Sequence, residues 1–238
     1  MSTMVLVADC IARRFGGRAV LTAATLRAES GMVTALLGRN GEGKSTLLRI
    51  AAGIIAADAG AVHFRGTVYE RPRLSLLARR GLYLLADRDM LSTSFTIDDQ
   101  LRLIARRFRA GEREAAVVAE AAETAGVAHR LEARPFQLSG GEYRRAELAM
   151  AFARRPVCLL ADEPFRGIAP RDAEALVGLF RAIAAVGCAV CVTGHEVWTL
   201  FDAADRVTWC TNGTTYELGP PDLARTEPRF RAGYLGWK

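Results

Sequence analysis

Apolar positions along the chain follow two patterns. Short apolar runs read as strands at Met4–Val7, Val20–Leu26, Met32–Leu37, Gly81–Ala86, Val157–Ala161 and Cys188–Thr193. Longer stretches with an apolar residue at every third or fourth position read as helices at Lys44–Ala52, Gly140–Ala153 and Arg171–Ala185, with a short one at Val197–Ala203. From Ile97 to about Val127 the pattern is also helical: Leu101, Ile104 and Phe108 mark one face, and Ala110-Gly111-Glu112 breaks the stretch before Glu114–Ala125. Val207–Cys210 and Thr214–Leu218 flank Asn212-Gly213, a dipeptide suited to a tight hairpin. Strands alternating with helices predict an α/β chain built on a largely parallel sheet. Residues 87–137 read as a helical insertion in an otherwise single domain spanning 1–238.

Composition narrows the class. The chain has 238 residues, half of them apolar, which supports a full core and excludes a disordered chain. The apolar run Ile183–Val192 is about half the roughly 20 residues a bilayer span needs. The N-terminal residues lack a basic segment followed by an apolar core, so no signal peptide and a cytosolic chain are expected. Cys188-Ala189-Val190-Cys191 has C-x-x-C spacing, but it sits in an apolar strand where the two thiols would face opposite sides. There is no second pair to complete a zinc site, so core packing is the expected role. The net charge of +6 permits contact with nucleic acid or anionic headgroups. The arginines are scattered as pairs such as Arg13-Arg14 and Arg79-Arg80, which favours an ordinary solvated surface over a nucleic-acid interface.

The candidate chemistry begins with a lysine. Of 32 basic residues only two are lysine, Lys44 and Lys238. Lys44 stands in Gly38-Arg39-Asn40-Gly41-Glu42-Gly43-Lys44-Ser45-Thr46, which fits the phosphate-binding pattern G-x-x-x-x-G-K-[ST]. A slim ammonium suits such a cradle better than the wide fork of arginine. The motif follows a strand and opens a helix, so loop amides and the helix N-terminus are aimed at phosphates. Arg39, Asn40 and Glu42 matter there for their backbone positions. Val157–Ala161 ends in Asp162-Glu163. In a parallel sheet that end lies beside the phosphate loop, which places Asp162 and the Ser45 hydroxyl to hold Mg²⁺ and Glu163 to polarise a water. In Leu138-Ser139-Gly140-Gly141-Glu142, Ser139 and Glu142 form a capping box. The two glycines weaken that first turn but leave its amides open to an anion.

With these three elements in this order, residues 3 to 218 resemble the nucleotide-binding subunit of an ATP-binding cassette (ABC) transporter. The resemblance implies a P-loop NTPase of ABC type: a mainly parallel core, an N-terminal antiparallel β element and an inserted helical subdomain. It further implies ATP and Mg²⁺ as cofactors, and a homodimer, or a heterodimer with a second cassette, that sandwiches two ATP. Ser139, Gly140 and Gly141 would then contact nucleotide across the dimer, and Thr46 the α-phosphate. Phe15 matches the aromatic that stacks on adenine, its alternative being strand packing. His195, after Thr193-Gly194, matches the histidine that touches the γ-phosphate. Lys44, Glu163 and His195 are thus the expected catalytic groups, and Gly38, Asn40, Gly41 and Gly43 complete the loop.

Two positions depart from the family pattern. Asp87 stands where a glutamine usually reaches Mg²⁺ and the membrane-subunit interface, so the resemblance adds Asp87 to Ser45 and Asp162 as an expected metal-site residue. Ala169 replaces an aspartate in the loop that signals across the dimer. Asp162–Phe165 and Tyr234–Gly236 resemble the lipopolysaccharide-export and branched-chain amino-acid branch. The implied function is an ATP-hydrolysing subunit that powers transmembrane permease subunits from the cytoplasmic face of the membrane. The alternatives are a soluble cassette acting on nucleic acid or ribosomes, and a weakly hydrolysing regulatory cassette.

Overall fold

The computed structural model describes residues 3–87 and 90–236; Lys238 lies outside them. The strands are β1 (Met4–Phe15), β2 (Arg18–Glu29), β3 (Val33–Leu37), β4 (Ala59–Phe64), β5 (Thr67–Tyr69), β6 (Leu82–Leu85), β7 (Cys158–Ala161), β8 (Ala189–Gly194), β9 (Arg206–Thr211) and β10 (Thr214–Gly219). The helices are α1 (Lys44–Ala51), α2 (Leu74–Arg79), α3 (Ile97–Phe108), α4 (Glu114–Thr124), α5 (Gly140–Arg154), α6 (Pro170–Ala185), α7 (Val197–Ala203) and α8 (Pro221–Thr226). The strands form one sheet in the order β5-β4-β1-β2-β10-β9-β3-β8-β7-β6. Strands β9, β3, β8, β7 and β6 run parallel, while β5, β4, β1 and β2 pair antiparallel. The two parts meet where β10 touches β2 through one parallel pair, Thr214 with Ala23.

The parallel strands are apolar throughout because both of their faces are covered. β3, β7 and β8 are buried along their whole lengths. Successive side chains feed two separate cores. Leu37, Leu85, Leu159, Val190 and Val192 pack with Leu148 of α5 and with Leu176 and Phe180 of α6. Leu36, Leu84, Leu160 and Cys191 pack with Leu47 and Leu48 of α1 and with Leu6 and Leu26 of the antiparallel strands. Helix α1 is therefore clamped between two sheet surfaces, which fixes the loop that precedes it. Between β6 and α5, the regular elements of the described chain are all helical, and α3 and α4 pack on α5.

The C-x-x-C pair divides between these cores, Cys188 in one and Cys191 in the other. Burial pushes the Cys188 thiol up to about 12 and raises Cys191 further, so both stay protonated. In the hairpin, Asn212 (φ 50) and Gly213 (φ 74) both take left-handed conformations, the pairing a type I′ turn requires.

Three parts exceed the elements read from the sequence. Strand β1 runs on from Val7 to Phe15, and a left-handed kink at Cys10 (φ 51) hides its alternation. The β4–β5 hairpin and α2 occupy residues 59–79, where Arg65 (φ 50) and Gly66 (φ 74) turn the chain. Arg-Gly is not a strong turn signal, and the alanines and glycine of β4 dilute its pattern. After α8, the turns Pro228–Phe230 and Arg231–Leu235 pack back on the body through Phe230. That ring is fully buried and lies 5.5 Å from Trp209 and 5.2 Å from Tyr234.

Helix α6 starts at an exposed Ala169, which offers no side-chain cap, and the nearby Asp172 carboxylate is already paired with Arg145. A hydroxyl at the N-cap satisfies one orphan amide and is worth about 1 kcal/mol over alanine. Ala169→Ser is expected to raise the melting temperature by about 2–4 °C for a chain of this size. Thermal denaturation followed by circular dichroism checks it, and an unchanged or lower midpoint contradicts the capping argument.

Candidate functional site

The loop 38–46 leaves β3 and turns into α1 with Gly41 (φ 87) and Gly43 (φ 99) in the left-handed region that favours glycine. A side chain at Gly43 would also come within 2.7 Å of Leu21. Gly38 is needed for a different reason, since a Cβ there would overlap the Cys210 carbonyl of β9. Glu42 ties the loop to the same hairpin: its carbonyl accepts from the Cys210 thiol at 3.1 Å, and its carboxylate accepts from the Asn212 amide. Lys44 is 4% exposed and folds back onto its own loop. Its Nζ donates to the carbonyls of Gly38 (2.7 Å) and Arg39 (3.2 Å) and stands 3.6 Å from Glu163 Oε1. Val20, Asn40, Gly41, Gly43, Lys44, Ser45, Thr46 and Glu163 line one cleft of about 310 Å³.

Strand β7 delivers the two carboxylates to this cleft. Asp162 is buried, and its Oδ1 accepts from the Ser45 hydroxyl and the Thr193 hydroxyl, each at 2.8 Å. The Thr193 Oγ1 also accepts from the Glu163 amide at 3.0 Å, which holds Glu163 in a left-handed conformation (φ 51). Strain of this kind persists only where the surroundings over-determine it. His195, at the end of β8, places Nδ1 3.0 Å from Glu163 Oε2 and Nε2 3.4 Å from Glu196 Oε1. The hard oxygens of Ser45 and Asp162 are the donor chemistry that suits a small divalent cation such as Mg²⁺.

Other expected site residues lie further out. Phe15 ends β1 with its ring 43% exposed and the Arg13 guanidinium 4.7 Å from the ring centre, so it does not pack in the core. Ser139 and Gly140 are exposed, apart from the cleft-lining residues. Gly141 is buried, and a Cβ there would overlap the Asp172 carboxylate, so its smallness serves packing of α5 on α6. Asp87 lies beyond the end of β6 with its carboxylate on Arg49 at 3.1 Å; the same Arg49 nitrogen stands 3.4 Å from Asp162 Oδ2.

Sequence reading missed four groups. Thr193 joins both acids, and its signal was its place two residues before His195 at a strand end. Arg49 lies one turn beyond Ser45 on the same face of α1, a spacing that reaches the acids. Glu42 and Tyr234 support the loop by contacts that span the chain, with Tyr234 donating its hydroxyl to the Gly38 carbonyl at 3.4 Å. Burial pushes the Tyr234 phenol up to about 12, so it stays a donor at neutral pH. No local pattern marks either residue.

Comparison with known proteins bears on the family and the fold. A family model described as ABC transporter matches residues 21–166. A probable ABC transporter ATP-binding protein from Azorhizobium caulinodans is 31% identical, with the match covering 97% of this chain and 83% of that protein. A zinc import ATP-binding protein from Alkalilimnicola ehrlichii is 34% identical over the same shares, 97% and 83%. Among solved structures, the ADP conformation of an ATP-binding cassette of an ABC transporter superposes with a TM-score of 0.86 at 22% identity, covering 98% of this chain and 99% of that one. At that identity the likeness speaks for the fold.

Helix α5 carries a titratable cap. The Glu142 carboxylate accepts from the Ser139 amide (2.8 Å) and from Arg130 Nε (2.7 Å). The Ser139 amide first, then Arg130, lower its pKa from 4.5 to about 2. A depressed carboxylate pKa contributes stability above the unfolded value and loses it as pH falls through the folded one. The stability advantage over Glu142→Gln is expected to hold at neutral pH and to vanish between about pH 4.5 and 2. Denaturant midpoints of both proteins across that window check it; a constant difference contradicts it.

Proposed function

The chain belongs to the ABC transporter family, and from that premise we propose that it binds ATP with Mg²⁺ at its phosphate loop, dimerises around two nucleotides and drives separate membrane subunits. Proteins of this family bind nucleotide and hydrolyse ATP, and the chain is an ATP hydrolase of that kind. The observation that carries the fuller reading is an arrangement in two parts. Lys44, Ser45 and Glu163 line one cleft, with Asp162 held on Ser45 and His195 on Glu163, while Ser139 and Gly140 stand exposed outside it. A second copy of the chain, or a second cassette, facing this one head to tail would bring its exposed α5 N-terminus over the cleft. The backbone donors of Gly140 and Gly141 and the Ser139 hydroxyl would then reach the phosphates from the opposite side.

In the mechanism, Lys44 exchanges the carbonyls of Gly38 and Arg39 for phosphate oxygens. The amides of Gly41, Gly43, Lys44, Ser45 and Thr46 receive the rest of the phosphate charge at the positive end of α1. Phe15 offers an exposed ring to the adenine. Glu163 takes the proton of a water that attacks the γ-phosphorus; the new P–O bond forms as the bond to the leaving ADP oxygen breaks. His195 holds the Glu163 carboxylate through Nδ1, and Thr193 fixes its backbone. Ser45 and Asp162 would hold the Mg²⁺, which when bound neutralises phosphate charge.

Among the described residues no helix is long and apolar enough to cross a membrane. The reading therefore assigns the crossing to permease subunits, with this chain held at the cytoplasmic face of the membrane. The gathering of Lys44, Ser45, Asp162, Glu163 and His195 favours an active motor over a regulatory cassette.

Lys44→Ala is expected to weaken ATP binding by tenfold or more, about 1.4 kcal/mol, since it removes the cation of the cradle. Titration with a fluorescent ATP analogue measures it, and unchanged affinity contradicts the site. Glu163→Gln keeps the shape but loses the base, so turnover should fall by roughly 10²–10⁴-fold with binding retained. Size-exclusion chromatography with MgATP should then show an accumulated dimer. A persistent monomer would sink the sandwich reading, and near-normal turnover would remove Glu163 as the base.

A further inference from the structure

Asp162 has a charge problem that its own hydrogen bonds do not solve. Its side chain is 2% exposed, and its Oδ1 takes two hydroxyl donors, which are neutral. A buried carboxylate needs a cation or a strongly donating partner. Lys44 is not that cation, because its ammonium is spent on two loop carbonyls and on Glu163. Among the described residues, Arg49 is the one cation within ion-pair distance of Asp162, at 3.4 Å from Oδ2. The same Arg49 nitrogen lies closer to Asp87, at 3.1 Å. One guanidinium nitrogen is thus shared by two carboxylates, one at the end of β7 and one beyond the end of β6.

We propose that Arg49 is a built-in counter-cation for Asp162, and that Asp87 is the dock onto which Arg49 withdraws when a divalent cation occupies the Ser45–Asp162 pair. The proposal rests on the reading of that pair as the Mg²⁺ site. A divalent ion at Ser45 and Asp162 would stand within a few ångströms of the guanidinium, and two cations at that separation repel strongly beside a buried group. Arg49 therefore competes with metal unless it has somewhere else to go. Asp87 supplies that place. Its side chain is partly open, it already holds the shorter contact, and its full negative charge binds a guanidinium better than a neutral amide does. Asp87 serves the metal through Arg49 and is not itself a ligand. Arg49 is accordingly a positioning residue.

The withdrawal also has a mechanical address. The Ala86 and Asp87 carbonyls accept from Arg144 of α5 at 3.3 and 3.4 Å. Arg144 pairs with Glu147 at 2.7 Å, and Glu147 accepts from the Met90 amide at 3.1 Å. The segment that carries Asp87 is therefore bound to the helix whose first turn is Ser139-Gly140-Gly141. A shift of charge from Asp162 to Asp87 loads that segment.

The test compares nucleotide affinity in EDTA and in excess MgCl₂, read with a fluorescent ATP analogue, for wild type, Asp87→Asn, Arg49→Gln and the double variant. Asp87→Asn leaves Arg49 on Asp162, so the gain in affinity from Mg²⁺ should shrink by roughly threefold or more. Arg49→Gln removes the competitor, so that gain should widen, and its melting temperature in EDTA should fall more than in Mg²⁺. Arg49→Lys keeps a cation and should return the gain toward the wild-type value, which separates lost charge from damaged packing. In the Arg49→Gln background, Asp87→Asn should change nothing. If it still shrinks the Mg²⁺ gain there, Asp87 faces the metal directly and the proposal is overturned. An unchanged gain in Arg49→Gln overturns it equally. A normal wild-type Mg²⁺ gain left unchanged by Arg49→Gln refutes this inference alone, whereas wild-type binding with no Mg²⁺ effect, or no nucleotide binding in either condition, refutes the underlying site reading as well.

Discussion

Asp162 brings a full negative charge to the end of a strand whose other residues are wholly apolar, and the surrounding structure is arranged to tolerate it. The Ser45 hydroxyl comes from α1, the Thr193 hydroxyl from β8 and the Arg49 guanidinium again from α1. Two elements thus hold one carboxylate that follows a third, β7, and each of the three is fixed by packing before it reaches the site. Helix α1 cannot slide because it is clamped between the parallel and antiparallel parts of the sheet. β7 and β8 cannot part because their ladder pairs Ala161 with Val192 one step from the acids. The low dielectric that makes the isolated charge costly also makes each of these contacts stronger.

The same economy of contacts explains which features were legible in the sequence. The parallel core was readable because its strands are buried on both faces and its helices show one apolar stripe, both local patterns. The phosphate loop, Asp162-Glu163 and the Ser139–Glu142 box were readable because each is contiguous. The β4–β5 hairpin was not, because its turn rests on Arg65 in a left-handed conformation and its strand is diluted by small residues. Tyr234 and Glu42 were not, because each joins the loop to residues more than 160 positions away, a relation that no window along the chain contains.

Two glycines of the expected site are also demanded by their neighbours in the fold. Gly38 and Gly141 belong to the expected nucleotide-contacting set, and each also lies where a Cβ would overlap a neighbour, the Cys210 carbonyl and the Asp172 carboxylate respectively. Gly41 and Gly140 have no such crowding: Gly41 meets nothing within 4 Å and Gly140 only the tip of Ile168 at 3.9 Å. The motif thus mixes glycines that let elements approach each other with glycines that keep a surface open. Spacing alone cannot separate the two; the neighbours across the fold do.

The cysteines carry a consequence of a different kind. Four of the five, Cys158, Cys188, Cys191 and Cys210, are buried, and burial raises the pKa of each. Only Cys10, at the kink of β1, is exposed. Thiolate is the reactive form, so the folded chain presents one thiol to an alkylating reagent and withholds the rest. Three of the withheld thiols, Cys158, Cys191 and Cys210, belong to the core that clamps α1. Their labelling would register the opening of the layer behind the phosphate loop, so the protein carries its own chemical reporter of that layer, with Cys10 as the internal reference.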